Sequence, residues 1–157
     1  MVKIRKTSAS DIEKLMNVRL EMLRIVNDMK DDQEFSEELI NHSREYFLTG
    51  DQDTVVAEDG EKVVGCASIS YITIMPTYNH PTGRRAHLMN VYTNEAYRRQ
   101  GIARKMVSQL IDEAKKRGCT QISLDATLAG RFVYKTLGFT DNIEGMCLSL
   151  NESNKRN

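Results

Sequence analysis

The stretch from Leu88 to Arg117 limits the fold more than any other part of the chain. An apolar run, Leu88-Met89-Asn90-Val91-Tyr92-Thr93, leads into a basic turn, Tyr97-Arg98-Arg99-Gln100-Gly101, and then into the clearest helix in the sequence. There Ile102, Ala103, Met106, Val107, Leu110, Ile111 and Ala114 recur at the spacing that puts them on one helical face. Gly118 fits the left-handed position just past the helix end, and Lys115, Lys116 and Arg117 suit the negative end of its dipole. A strand that feeds a one-sided helix through a tight turn belongs in a sheet with helices laid on it.

The remaining elements supply the layers. Val2 and Ile4 alternate with Lys3 and Arg5, a short first strand. Ser10 with Glu13 reads as a capping box for a helix carrying Ile12, Leu15, Met16, Leu23 and Val26. After an acidic connection from Asp28 to Glu34, Ser36 caps a second helix carrying Leu39, Ile40, Phe47 and Leu48, closed by Gly50. Thr54–Ala57 and Val63–Ile74 read as strands joined by a hairpin at Asp59-Gly60, a pair that accepts positive φ at both central positions. Pro76 to Gly83 is a loop and Ala86–Thr93 a further strand. Beyond the amphipathic helix come a strand at Gln121–Leu124, a short helix at Gly130–Leu137, a last strand at Met146–Leu150 and a polar tail from Asn151 to Asn157. The fold class is α/β, and the last third alternates strand and helix.

A length of 157 residues fits one domain. Lys plus Arg, 22 in number, balance 22 Asp plus Glu, which argues against a nucleic-acid partner. Cys66, Cys119 and Cys147 are scattered in or beside apolar runs and read as buried free thiols, as in a reducing compartment. The N-terminus has no apolar segment of the secretory kind, and no run reaches the ~18 residues that span a bilayer. A soluble cytoplasmic protein without a membrane partner is expected. His42, His80 and His87 show no metal-ligand spacing, so no metal is expected.

The basic turn carries the chemistry. The first turn of a helix presents free backbone N–H groups and partial positive charge, which together favour a phosphate. Gly101 and the small Ala103 let a ligand approach the backbone, and Arg98, Arg99 and Arg104 add charge-assisted hydrogen bonds. Arg104 and Lys105 sit where cations oppose the dipole, a conflict that a bound polyanion removes. The plain alternative is a solvated basic helix start. Neither the GxxxxGK[ST] nor the GxGxxG spacing is present, so phosphates are held by another arrangement.

Arg98-x-x-Gly101-x-Ala103, the strand before it and Tyr134-Lys135-Thr136-Leu137-Gly138-Phe139 after it resemble the GNAT superfamily of N-acetyltransferases. The close match covers about Ala86 to Phe139. The resemblance implies a mixed, mostly antiparallel twisted sheet with helices on both faces. It also implies a V-shaped cleft where two central strands, those of Val91 and Leu124, splay apart. Residues 1–157 are then one N-acetyltransferase domain, with a cofactor-binding core at about 86–139 and substrate-lid helices at about 11–50. Acetyl-coenzyme A is the implied cofactor. Its pantetheine arm pairs with backbone at Val91, Tyr92 and Thr93, and its pyrophosphate rests on Arg98, Arg99, Gln100, Gly101, Ile102, Ala103 and Arg104. Asp125-Ala126-Thr127-x-x-Gly130-Arg131-x-x-Tyr134 resembles one branch of the superfamily, which brings Thr127, Gly130, Arg131 and Tyr134 to the cofactor.

The implied reaction is attack of a primary amine on a thioester, by direct transfer in a ternary complex. An alkylammonium has a pKa of ~10.4, so the neutral nucleophile is scarce at pH 7. Tyr134 is the implied group facing the departing thiolate; otherwise it is a core tyrosine with a satisfied hydroxyl. Many relatives carry a carboxylate near Asn90, and an amide cannot be a base, so Asn90 is read as orienting substrate. Glu21 and His87 are candidate proton acceptors through water. Arg84 and Arg85 are read either as contacts for an acidic substrate group or the cofactor 3′-phosphate, or as surface charge. A small-molecule amine is the expected acceptor. The alternatives are a protein or peptide acceptor, or a non-catalytic acyl-coenzyme A sensor. A homodimer is compatible with the resemblance.

Overall fold

Five strands form one sheet in the order β1-β2-β3-β4-β5, in a computed structural model that describes residues 1–142 and 144–151. The rest of the polar tail, 152–157, lies outside the described residues. β1 (Val2–Lys6), β2 (Gln52–Asp59), β3 (Lys62–Thr73) and β4 (Arg84–Thr93) pair antiparallel in succession. β5 (Gln121–Ser123) then joins β4 in parallel. The β2–β3 turn differs in detail from its expected form. Asp59 pairs with Lys62, so Gly60 and Glu61 are the central residues, and of these only Gly60 has positive φ, at 62°. That is the φ pattern of a type II′ turn, which asks for glycine at the first position alone.

Each face of the sheet carries helices because its strands alternate in what they present. In β3, Ala67 and Ile69 face α3 (Ile102–Lys116), where Met106, Val107 and Leu110 are fully buried. Burial of each such aliphatic side chain is worth about 1.5–3 kcal/mol. On the opposite face, Cys66 and Tyr92 meet Leu15, Val18 and Met22 of α1 (Ile12–Val26). α2 (Glu37–Thr49) packs beside α1, starts at Ser36, whose side chain accepts from the Leu39 amide, and has no fully buried residue. It is tied down by an Arg44–Glu13 ion pair and a hydrogen bond between the Tyr46 and Ser70 hydroxyls. Gly50 closes α2 in extended geometry rather than a left-handed cap. What demands glycine there is space, since a Cβ would lie 2.6 Å from the Tyr46 ring.

Two polar clusters fix the helices to the sheet. Ser8 and Asp11 form a capping box on the single 3-10 turn, Ala9–Asp11, that leads into α1, and the N-cap of α1 is Asp11, not Ser10. Asp11 accepts from the Ser8 amide at 2.8 Å and from both terminal nitrogens of Arg5, at 2.9 and 2.7 Å, so the strand-borne cation decides which residue caps. Below α3, the buried Asp53 carboxylate accepts from Tyr71 at 2.6 Å and pairs with Lys6 at 2.8 Å, while the Arg117 guanidinium lies 3.9 Å from the Tyr71 ring centre. Three strands and the C-terminal end of α3 are thereby joined through one carboxylate.

The expected last strand at Met146–Leu150 is not formed: these residues join no ladder, and Met146, Leu148 and Leu150 are exposed. β5 spans only Gln121–Ser123, a short template for a further partner. β5 is therefore an edge strand, and the cleft opens between β4 and the sheet edge instead of between two central strands. The thiols also divide differently from expectation: Cys66 is buried, Cys119 half-buried and Cys147 exposed. Among the described residues no helix is long and apolar enough to cross a membrane.

Candidate functional site

β4 and β5 pair only through Arg85, Ala86 and His87, opposite Gln121, Ile122 and Ser123. Among the described residues β4 runs on to Thr93 without a partner on that side, and this fork is the expected cleft. The other side of β4 is disturbed at the same level. Cys66 pairs with Tyr92 and Ser68 with Met89, so Asn90 and Val91 share the single position opposite Ala67. This is a bulge, and Asn90 takes φ of 57°, a conformation that asparagine tolerates better than most residues.

The basic turn closes back on β4. The Asn94 side chain accepts from the Ala96 amide, Tyr97 donates to Asp59 at 2.8 Å, and Arg98 Nε donates to the Thr93 carbonyl at 3.1 Å. Arg99 and Gly101 both have positive φ, 63° and 76°. No side chain caps α3, and its first returning bond is from the Lys105 amide to the Gly101 carbonyl. The amides of Gly101, Ile102, Ala103 and Arg104 thus meet no acceptor among the described residues. Arg98, Arg99, Arg104 and Lys105 are exposed and make no ion pair among the described residues, whereas Arg5, Arg44, Arg117 and Arg131 all do. A Cβ on Gly101 would meet nothing within 4 Å. The Thr93 hydroxyl is buried beside this turn without a partner among the described residues. Open amides, guanidinium groups without ion pairs and an orphaned hydroxyl fit a polyphosphate ligand.

Across the fork, α4 (Leu128–Thr136) begins at Thr127, whose hydroxyl accepts from the Gly130 amide at 3.1 Å. Tyr134 packs edge-on against Phe139, with ring centres 5.9 Å apart. Its hydroxyl has no hydrogen-bond partner among the described residues, unlike those of Tyr71 and Tyr97, which donate to aspartates. Burial pushes the Tyr134 phenol above its ordinary value, so it is neutral at pH 7 and holds a proton it can donate. A cavity of about 1220 Å³ lies beside it, walled in part by Ile122, Leu124, Leu137 and Phe139. Arg131 forms an ion pair with Asp141 through one terminal nitrogen.

Other candidates sort clearly. Tyr92 and Ile102 are buried in the two cores, so any ligand contact they offer is through main chain. Arg84 and Arg85 start β4, at the end remote from the basic turn, and donate to the Arg117 carbonyl and to Gln121. His87 Nδ1 lies 2.7 Å from the Ser123 hydroxyl, with Nε2 3.9 Å from Asp125, and Glu21 is exposed on α1. Burial pushes the Cys66 thiol up to about 12, which removes it as a nucleophile. The side chain of Asn90 accepts from Arg19 Nη1 at 3.1 Å and donates to Ser68 at 3.4 Å. Arg19 was not among the expected site residues. Its signal was a cation on the inward stripe of α1, between Leu15 and Met22.

The acetyltransferase (GNAT) family model matches residues 14–139. Glucosamine 6-phosphate N-acetyltransferase of Arabidopsis thaliana is 24% identical over 139 residues, 88% of this chain and 90% of that one. Thialysine N-epsilon-acetyltransferase of Sus scrofa is 32% identical over 83 residues, 51% of this chain and 49% of its own length. Among solved structures, a predicted acetyltransferase from Clostridium acetobutylicum, crystallised with acetyl-CoA, superposes with a TM-score of 0.84. It is 33% identical, over 96% of this chain and 97% of that one. With the fork, the open amides and the tyrosine already in place, these matches mean that the chain belongs to the GNAT acetyltransferase family and is an acyltransferase that uses acetyl-CoA.

Proposed function

We propose that the chain is an N-acetyltransferase that moves the acetyl group of acetyl-CoA to the primary amine of a small molecule, directly within a ternary complex. The observation that supports this most is the pairing of an unsatisfied, cationic helix start at Arg98–Arg104 with an unpartnered, protonated Tyr134 across one fork. Acetyl-CoA supplies the activated acyl group. The amides from Gly101 to Arg104, with Arg98 and Arg99, hold its pyrophosphate; the unpaired edge of β4 at Val91–Thr93 lines its pantetheine arm; and Thr127 and Gly130 shape the wall near the sulfur. Tyr134 gives its phenolic proton to the departing thiolate. Asn90 orients the acceptor, and α1 with α2 forms the lid over it. The relatives matched are named for small amines, a sugar phosphate and thialysine, which favours a small acceptor over a protein.

Consumption of acetyl-CoA against an amine panel, with calorimetric titration of coenzyme A alongside, tests this. Turnover with at least one small amine is expected. Tight cofactor binding without turnover on any amine or peptide would favour a sensor. The reading extends to one domain in the cytoplasm, in keeping with free thiols, and to a homodimer, in keeping with the exposed Met146, Leu148 and Leu150. Sedimentation equilibrium checks the dimer.

A further inference from the structure

Arg19 occupies a position where a cation is costly. It lies on the inward stripe of α1 with Leu15, Val18 and Met22, and these pack on Cys66 and Tyr92. Half-buried, it makes one hydrogen bond, from Nη1 to Asn90 Oδ1 at 3.1 Å, and no ion pair among the described residues. Burial lowers its pKa, and no carboxylate among the described residues offsets that. Glu21 on the same helix is exposed and acts on Cys66 and Tyr92 instead. Among the other half-buried arginines, Arg5 has Asp11 and Glu58 and Arg44 has Glu13, while Arg24 and Arg85 donate to the Gln33 carbonyl and to Gln121 near the surface. A partly desolvated guanidinium with most of its five N–H donors unused is a site built for an anion that arrives from outside.

Its surroundings face the acceptor side. The bulge at Asn90–Val91 aims the Asn90 amide at Arg19, and that amide is braced by Ser68, itself 2.7 Å from the Thr54 hydroxyl. Further along the same sheet face lie Ser70, hydrogen-bonded to Tyr46 of α2, and His87, its partner in register. This is a polar floor beneath α1 and α2, with a cation at one end and no acid paired to it.

We propose that Arg19, positioned by Asn90, anchors an anionic group of the acceptor, and that the acceptor is an amine that also carries a carboxylate or a phosphate. The proposal rests on the transferase reading and narrows its substrate class. It assigns a specificity role to Arg19 and leaves the acyl-transfer chemistry to other groups.

The test uses two matched pairs of amines: L-lysine against L-lysinamide for the carboxylate, and O-phosphoethanolamine against ethanolamine for the phosphate. The wild type is expected to favour the charged member of one pair by about tenfold or more in kcat/KM, the discrimination of a charge-assisted hydrogen bond, and the preferred pair identifies the anion. Arg19→Gln is expected to abolish that preference through KM, to leave the neutral member and coenzyme A affinity unchanged, and to be partly rescued by Arg19→Lys. Equal use of both members by the wild type, or an equal loss on both in Arg19→Gln, overturns the anchor. Inorganic phosphate and succinate are also titrated into protein loaded with coenzyme A. Weaker binding in Arg19→Gln than in wild type supports the anchor even if none of the four amines is turned over, and that inactivity counts against the transferase reading alone. Equal affinities in both proteins overturn the anchor.

Discussion

A methyl group on Gly130 would come within 3.2 Å of the Tyr134 ring and 3.3 Å of the Thr127 hydroxyl. The glycine is therefore a spacer that sets where the phenol stands, one helical turn on. Tyr134→Phe keeps the ring and deletes the proton, so kcat is expected to fall about 100-fold with little change in coenzyme A affinity. Gly130→Ala pushes the ring without deleting anything and is expected to cost less than the phenylalanine variant. The phenol's pKa is raised, so the protonated form persists and wild-type kcat should not decline on the alkaline side below the ordinary tyrosine value of ~10. A fall in kcat of less than twofold in Tyr134→Phe removes the tyrosine from the chemistry.

Gly101 and Gly60 make a matched pair for the phosphate site. Both hold positive φ, 76° and 62°, and a Cβ on either meets nothing within 4 Å. Valine at either position therefore costs folding through backbone strain, about 1–2 kcal/mol. Only Gly101 lies at the start of α3. Gly101→Val is expected to raise the coenzyme A Kd about 100-fold, ~2.7 kcal/mol, while Gly60→Val leaves it unchanged. Calorimetry gives the affinities and urea unfolding the stabilities. Equal affinities in the two variants would falsify the pyrophosphate assignment.

Asn90 stands where a carboxylate would satisfy Arg19 permanently. Aspartate tolerates the left-handed backbone of this bulge, so Asn90→Asp should fold. The new charge 3.1 Å from Arg19 Nη1 is expected to occupy the guanidinium and lower kcat/KM on an anionic acceptor about tenfold, with the neutral analogue spared. A parallel drop on both acceptors would mean that Asn90 acts on the amine itself.

What the sequence disclosed was what short-range pattern encodes. The stripe Ile102, Met106, Val107, Leu110 and Ala114, with Gly118 behind it, located α3 and the turn before it. The Arg98-x-x-Gly101-x-Ala103 spacing pointed to the candidate anion site because the chemistry proposed for it lies in consecutive backbone amides. What stayed hidden depends on distant partners. The Arg19–Asn90 bond joins residues far apart in the chain, and a bulge is visible only once Ala67 is seen opposite two residues. Ser10 lost the cap to Asp11 because Arg5, on another element, favours the aspartate. The alternation at Met146–Leu150 reports a capacity to pair, and β5 is too short to meet it.

The Arg5 cluster also fixes how the fold responds to acid. Hydrogen bonds from Arg5 hold both Asp11 and Glu58 below the usual carboxylate range. A depressed folded-state pKa gives stability that is fully present above the unfolded values, ~3.9 for Asp and ~4.3 for Glu, and that is lost as pH falls through the folded ones. Asp11 is buried and accepts from two Arg5 nitrogens and one amide, so Asp11→Asn is expected to cost about 2 kcal/mol at pH 7. The wild type begins to lose this advantage below about pH 4, where the unfolded chain takes up protons while the folded Asp11 stays ionised, so the gap between the two unfolding curves should narrow as pH falls further. Urea midpoints at pH 7 and pH 3 check this. A gap that stays constant between them would place the cost of the substitution in cap geometry and not in charge.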